Sequence, residues 1–268
     1  MTASGSSGDG IWDPFGTLHG ALWVGGGQRA GKSTVTRILA HRFGLTVYHY
    51  DYHDARGHED RRVAQRARNG QPLTGPDPEE TWVNTTPERM AAETLAGFRH
   101  RFDWVLDDLR ALVSGRPILA EGFGLRPELV APLLDSPRRM AVMIPTESFR
   151  QRQIRTLPRA AQLSAKVSDP ARGHANRVAR DRLLAQDAAD SACRLGIQVI
   201  EVDGPGNTEA MAGELAAHFA PYLPPARLGL RLHRVVQQPA EHVRAEPSEQ
   251  AWRERAVHQD ERHPRGLG

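Results

Sequence analysis

The sequence predicts an α/β fold: a parallel sheet sandwiched between two layers of helices. Three observations point there. Five short apolar runs recur along the chain, at 18–24, 45–50, 118–120, 141–144 and 197–202. Stretches of helical period separate them, which is the pattern of a sheet whose strands are buried on both faces. Each of the runs is followed by glycine, acid or a capping residue, as strand ends that feed a site would be.

The elements follow in order. Residues 1–10, MTASGSSGDG, are Gly/Ser-rich and are expected to be disordered. Leu18–Val24 is the first strand and Ser33–Phe43 the first helix, closed by Gly44. Leu45–Tyr50 is the second strand, ending at Asp51. A short helix is expected within 54–68, and 69–86, with Pro72, Pro76 and Pro78, reads as an irregular loop carrying Trp82. Thr86-Pro87-Glu88 opens a long helix with a capping threonine, proline at the first helical position and an acid in the first turn. Its apolar positions, Ala91, Leu95, Phe98, Phe102, Val105, Leu109 and Leu112, are spaced by four and three. Strand three is Ile118–Ala120, running into Glu121-Gly122. A short helix at 127–134 and strand four, Ala141–Ile144, come next. Thr146 caps another helix, one from about Asn176 to Leu195 stops at Gly196, and Ile197–Val202 is strand five. Thr208 caps a last helix through Phe219. Residues 224–268 are polar, with Arg and Glu near balance, and read as a disordered tail.

The stretch between strand one and helix one carries the chemistry. Gly26-Gly27-Gln28-Arg29-Ala30-Gly31-Lys32-Ser33, followed by Thr34, fits Gly-x-x-x-x-Gly-Lys-Ser/Thr. This is the P-loop or Walker A pattern: glycines let successive backbone N–H groups turn toward an anion, and a helix N-terminus stands behind them. Lys32 is placed to reach the β/γ-phosphates of ATP, and the Ser33 hydroxyl to ligate Mg²⁺. The chain has only two lysines, Lys32 and Lys166, so lysine in this position is not a product of abundance.

Other strand ends supply candidates. Asp51 is the acid expected to act as general base, orienting an attacking hydroxyl, with Asp54 as a second substrate contact. Glu121 is expected near Mg²⁺ or its water shell, and also near substrate. Which of Asp51 and Glu121 is the base stays open. Residues 150–182 hold nine basic residues against two acids, Asp169 and Asp181, and 150–180 reads as a lid over a triphosphate. Arg150 and Arg155 are its candidate phosphate contacts. The insertion 54–86 is the candidate acceptor pocket. The aromatics and histidines at 48–53, with Trp82, either stack on a flat substrate or face the core. His49 and His53 are a weak metal pair, and Cys193 is expected in the core.

Bulk properties bound the rest. The chain has 268 residues, a formal net charge of +3 and one cysteine. The mild charge does not call for nucleic acid, and no disulfide framework exists within the chain. No apolar stretch approaches a membrane span, and no secretory leader pattern opens the sequence, so a cytoplasmic protein is expected. No Asn-Lys-x-Asp motif stands in the chain, which argues against a GTPase. No Leu-Ser-Gly-Gly signature stands there either, which argues against a transporter ATPase.

Gly26–Ser33, Asp51 closing strand two, Glu121 closing strand three, the Arg-rich segment before strand five, and Asp203-Gly204 before a Thr-capped helix together resemble the P-loop small-molecule kinases. That group includes nucleoside monophosphate kinases, uridine kinase-like enzymes and shikimate or gluconate kinases, along with ATP-binding proteins of undefined substrate. The resemblance covers about 18–222, within an expected domain at 11–223. It implies a P-loop NTPase three-layer sandwich with sheet order 2-3-1-4-5, ATP and Mg²⁺ as cofactors, and a small-molecule acceptor. The alternative expectation is a nucleotide-dependent switch or ATPase acting through a protein partner.

Overall fold

A computed structural model describes residues 11–156, 167–204 and 208–226. The elements along these residues are α1 (Thr17–Gly20), β1 (Leu22–Gly26), α2 (Lys32–Phe43), β2 (Thr46–His49), α3 (Tyr50–Ala55), α4 (Gly57–Arg68), α5 (Pro78–Trp82) and α6 (Pro87–Ala111). They continue with β3 (Ile118–Glu121), α7 (Pro127–Val130), β4 (Met140–Pro145), α8 (Glu147–Thr156), α9 (Pro170–Arg194), β5 (Gln198–Val202) and α10 (Thr208–Phe219). The N-terminal ten residues, 157–166 of the expected lid, and the tail beyond 226 lie outside the described residues.

The five strands form one parallel sheet in the order β2-β3-β1-β4-β5. Parallel neighbours need crossover connections, and helices supply them between successive strands. Alternation along β1 builds two cores. Leu22 and Val24 pack with Val35, Leu39, Leu215 and Phe219 under α2 and α10. Trp23, between them in sequence, packs with Phe98, Phe102, Val105 and Ala188 under α6 and α9. Every residue of β1, β3 and all but one of β4 are buried, as strands covered on both faces must be.

Four differences from the sequence reading are informative. Leu18 belongs to a helical turn, α1, and β1 instead runs on through Gly25 and Gly26. The second strand stops at His49, so Asp51 sits in the first turn of α3. The expected irregular loop contains α5, capped by Asp77, whose Oδ1 accepts the Glu79 N–H at 2.9 Å. Cys193 is exposed rather than in the core. Ala188 and Ala192, four apart on α9, take the sheet-facing positions, and Cys193 lies about 100° around the helix from Ala192. No described helix is long and apolar enough to cross a membrane.

Candidate active site

The site lies at the C-terminal edge of the sheet, where β1 gives way to the glycine-rich loop. Parallel register places the loop. Gly26 pairs with Met143 on β4, and the Gly27 N–H donates to Met143 O at 2.9 Å. Gly26 has φ +114°, and a Cβ there would stand 2.7 Å from Met143 N and closer still to its carbonyl, so no larger residue fits. Arg29 takes a left-handed conformation, φ 62°. Gly31, also left-handed, is the N-cap of α2 and carries no side chain to occupy the first-turn N–H groups. Those groups face a cleft of ≈ 540 Å³ lined by residues 28–34 together with Asp51, Phe123 and Arg177.

Lys32 is buried, and its Nζ donates to Gly27 O at 2.8 Å, across the loop. Burial pulls its pKa down, opposed by the charges of Asp51, Glu121 and Asp181. Ser33 Oγ donates to Glu121 Oε1 at 2.9 Å. The same oxygen lies 2.7 Å from His49 Nδ1, and that hydrogen bond raises the imidazole pKa. The meeting is a consequence of register: Glu121 is the Cα partner of Val24 on one side and of His49 on the other. Glu121 Oε2 is buried and has no hydrogen-bond partner.

Asp51 is reached by a different device. Gly122 has φ +155°, and a Cβ on it would come within 2.9 Å of Asp51 Oδ1. With no side chain there, the Phe123 N–H donates to Asp51 Oδ1 at 3.1 Å. Burial raises the Asp51 pKa, with the Lys32 charge acting against it.

Of the expected arginines, Arg155 is exposed on α8. Arg150 is buried, its Nε and Nη1 without hydrogen-bond partners and its Nε 3.9 Å from Glu147 Oε2, and it lines a separate cavity of ≈ 480 Å³ with Pro145, Glu147 and Arg182. Arg177, on α9, is the arginine that lines the cleft over the glycine-rich loop. Burial lowers the pKa of Arg150 and Arg177 alike. Arg159 and Lys166 lie outside the described residues.

Asp181 was not anticipated. It is buried on α9, where its Oδ1 accepts from Arg180 Nη2 at 2.6 Å, and Arg29 Nη1 stands 3.5 Å from its Oδ2. The Gln28 amide, turned with its NH₂ toward the carboxylate, donates to Oδ2 at 2.8 Å. Two side chains of the loop are thus held by one carboxylate. The signal was legible: Asp181 stands between Arg180 and Arg182 in sequence, where an acid among guanidiniums is a counter-charge.

Asp54 faces away from the loop. Its Oδ1 accepts from Arg101 Nε at 2.9 Å and Arg62 Nη1 at 3.2 Å, and His58, Arg101 and Arg62 hold its pKa low against burial. It lines a further cleft of ≈ 540 Å³ built by the insertion, α6 and Phe123. Phe123 is common to both clefts. Trp82 lines the insertion cleft, with Arg180 5.3 Å above its ring, while Tyr48 and Tyr50 are core residues. The roof is tied down where Glu79 accepts the Ser168 N–H at 2.8 Å and Asn176 Nδ2 donates to Trp82 O at 3.0 Å.

His49 and His53 do not form a metal pair: His49 bonds Glu121, while His53 stacks on Tyr48 at 4.4 Å and approaches Asp108. No group of three or more His, Cys, Asp or Glu able to hold a metal occurs among the described residues. No protein-family model matches the chain, and no curated protein sequence matches it.

Proposed function

We propose that the chain is a P-loop phosphotransferase, moving the γ-phosphate of ATP to a hydroxyl or phosphate of a small molecule with Mg²⁺. The observation that carries this reading is the convergence of Lys32, Ser33, Glu121 and Asp51 on one glycine-rich helix N-terminus. The groups present suit both cofactors. An uncapped helix start with a lysine beside it suits a polyphosphate. A serine hydroxyl bonded to a carboxylate whose second oxygen lacks a partner suits a hard cation that otherwise keeps water and phosphate oxygens. Bound Mg²⁺ supplies charge neutralisation at the β- and γ-oxygens.

The chain's own groups do the rest. The loop N–H groups and Lys32 hold the phosphates, with Lys32 leaving Gly27 O to do so. Asp51 orients the acceptor hydroxyl and takes its proton as the new O–P bond forms and the bond to ADP breaks. A carboxylate whose pKa is raised by burial is a stronger base than a free aspartate. Arg177 adds a positive charge on the facing wall.

The test is ADP release with and without nucleosides, nucleoside monophosphates, sugars, sugar acids and hydroxylated antibiotics, with Lys32→Ala as the blank. Stimulation by one class that Lys32→Ala abolishes is the expected result. ATP bound but no class stimulating refutes phosphotransfer and favours a nucleotide-dependent switch with a protein partner.

A further inference from the structure

We infer that the insertion cleft takes an uncharged, hydroxylated compound with a flat or apolar ring, and that Asp54 and Glu59 set this preference. Calling that compound the acceptor rests on the phosphotransfer reading. The cleft's chemistry does not.

The cleft adjoins the phosphate loop through Phe123, whose N–H holds Asp51. Its guanidiniums at first suggest an anion site. Each already contacts a carboxylate. Arg62 meets Glu59 at 2.7 Å and Asp54 at 3.2 Å, and Arg66 meets Glu59 at 3.0 Å. Arg101 meets Asp54 at 2.9 Å, and Arg180 meets Asp181 at 2.6 Å. An incoming phosphate or carboxylate would have to displace a carboxylate fixed on the same framework, and would face that carboxylate's charge afterward. Such prior pairing rejects charged ligands as effectively as it excludes a wrong partner.

What remains open is neutral chemistry. Phe98 and Phe123 meet edge to face at 4.9 Å, and Met90 adds an apolar wall. Thr81 and Thr94 line the cleft, and their hydroxyl oxygens, which donate to Asp77 O and Met90 O, keep lone pairs that a ligand hydroxyl can donate to.

The experiment is titration calorimetry on the full chain with matched pairs: nucleosides with their 5′-monophosphates, and aromatic hydroxymethyl amides with the corresponding carboxylates. The neutral member should bind at least about tenfold tighter. Glu59→Gln, at a half-exposed side chain on the cleft rim, frees Arg66 and half of Arg62 and should move that ratio about tenfold toward the anion. Asp54→Asn should do the same through Arg101, at more risk to folding. Glu93→Gln removes an equal charge from the same cleft, but its partner Arg89 is outside it, so the ratio should move less than about threefold. Tighter binding of the anionic member by the wild type overturns the inference. So does a ratio that moves no further in Glu59→Gln than in Glu93→Gln, or a failure of both members of every pair to bind. ADP release on the same compounds separates the two readings. The expected ratio without ADP release refutes phosphotransfer alone. Release driven only by anionic members refutes the neutral preference alone.

Discussion

Replacing Asp181 with asparagine should destabilise the fold by about 3–5 kcal/mol. The carboxylate is almost fully buried and serves two guanidiniums that are themselves only 14% and 10% exposed, those of Arg29 and Arg180. Arg180 places Nη2 at 2.6 Å and Nε at 3.1 Å from Oδ1. Bonds to a charged acceptor contribute roughly 1.5–3 kcal/mol each. Asparagine returns one neutral acceptor, but it turns an NH₂ toward donors and removes the counter-charge from two arginines with little access to water. The loss therefore approaches that of a broken buried pair rather than that of a surface one. Urea unfolding reads it directly: with a slope of roughly 2 kcal/mol per molar, the midpoint should fall by more than about 1 M. Asp169→Asn is the control in the same segment. Asp169 caps α9 by accepting the Arg172 N–H at 3.0 Å, a role asparagine fills as well, so the change should cost under about 0.5 kcal/mol. A loss below about 1 kcal/mol in Asp181→Asn would show that the arginines find water or other acceptors, and that Asp181 does not hold the loop.

Three further outcomes follow from the geometry. Asp51→Asn should cut turnover about 10²- to 10⁴-fold while raising the melting temperature at neutral pH. Burial lifts the folded pKa of Asp51 above its unfolded value, so its stabilising contribution is present at low pH and lost as pH rises through the folded pKa. The variant's advantage should vanish below about pH 4, and a variant less stable than wild type at neutral pH refutes the sign. Gly26→Ala should cost more than about 3 kcal/mol, because its Cβ would part β1 from β4 at Met143; a melting temperature within about 2 °C of wild type would refute it. Glu147, held at a pKa of about 2 chiefly by Arg182, shows the opposite case. Its contribution is present at neutral pH and lost as pH falls from the ordinary carboxylate range toward about 2. Both side chains are about half exposed, so Glu147→Gln should cost less than about 1 kcal/mol by urea unfolding at neutral pH.

What was legible in the sequence was what local chemistry dictates. Apolar runs of strand length and helical spacing located every strand and nearly every long helix. The sheet order agrees with that of the kinase group the motifs resemble. Glycines at 26 and 31 and the lysine after them are readable because backbone conformation and sequence spacing are local properties. Boundaries slipped where tertiary contacts decide them. His49 ends β2 because Tyr50 turns into the core beneath Gly122 and Gly124, a packing event with no sequence period.

By itself, then, the sequence determined the layers, the loop and Glu121 as the acid that ends β3. Only the tertiary structure decided which charges meet. Sheet register brought Glu121 and His49 together from two strand ends, and the first turn of α2 brought Ser33 to the same point. The rotation of α9 chose Arg177 for the cleft and set Asp181 beneath Gln28 and Arg29, while α8 carried Arg150 to another cavity. Asp54, three residues from Asp51 in sequence, was turned by α3 to the guanidiniums of Arg62 in the insertion and Arg101 on α6. The reason is physical. A side chain's chemistry is written at its own position, whereas its partner and its pKa depend on distance and burial, which long-range packing alone sets.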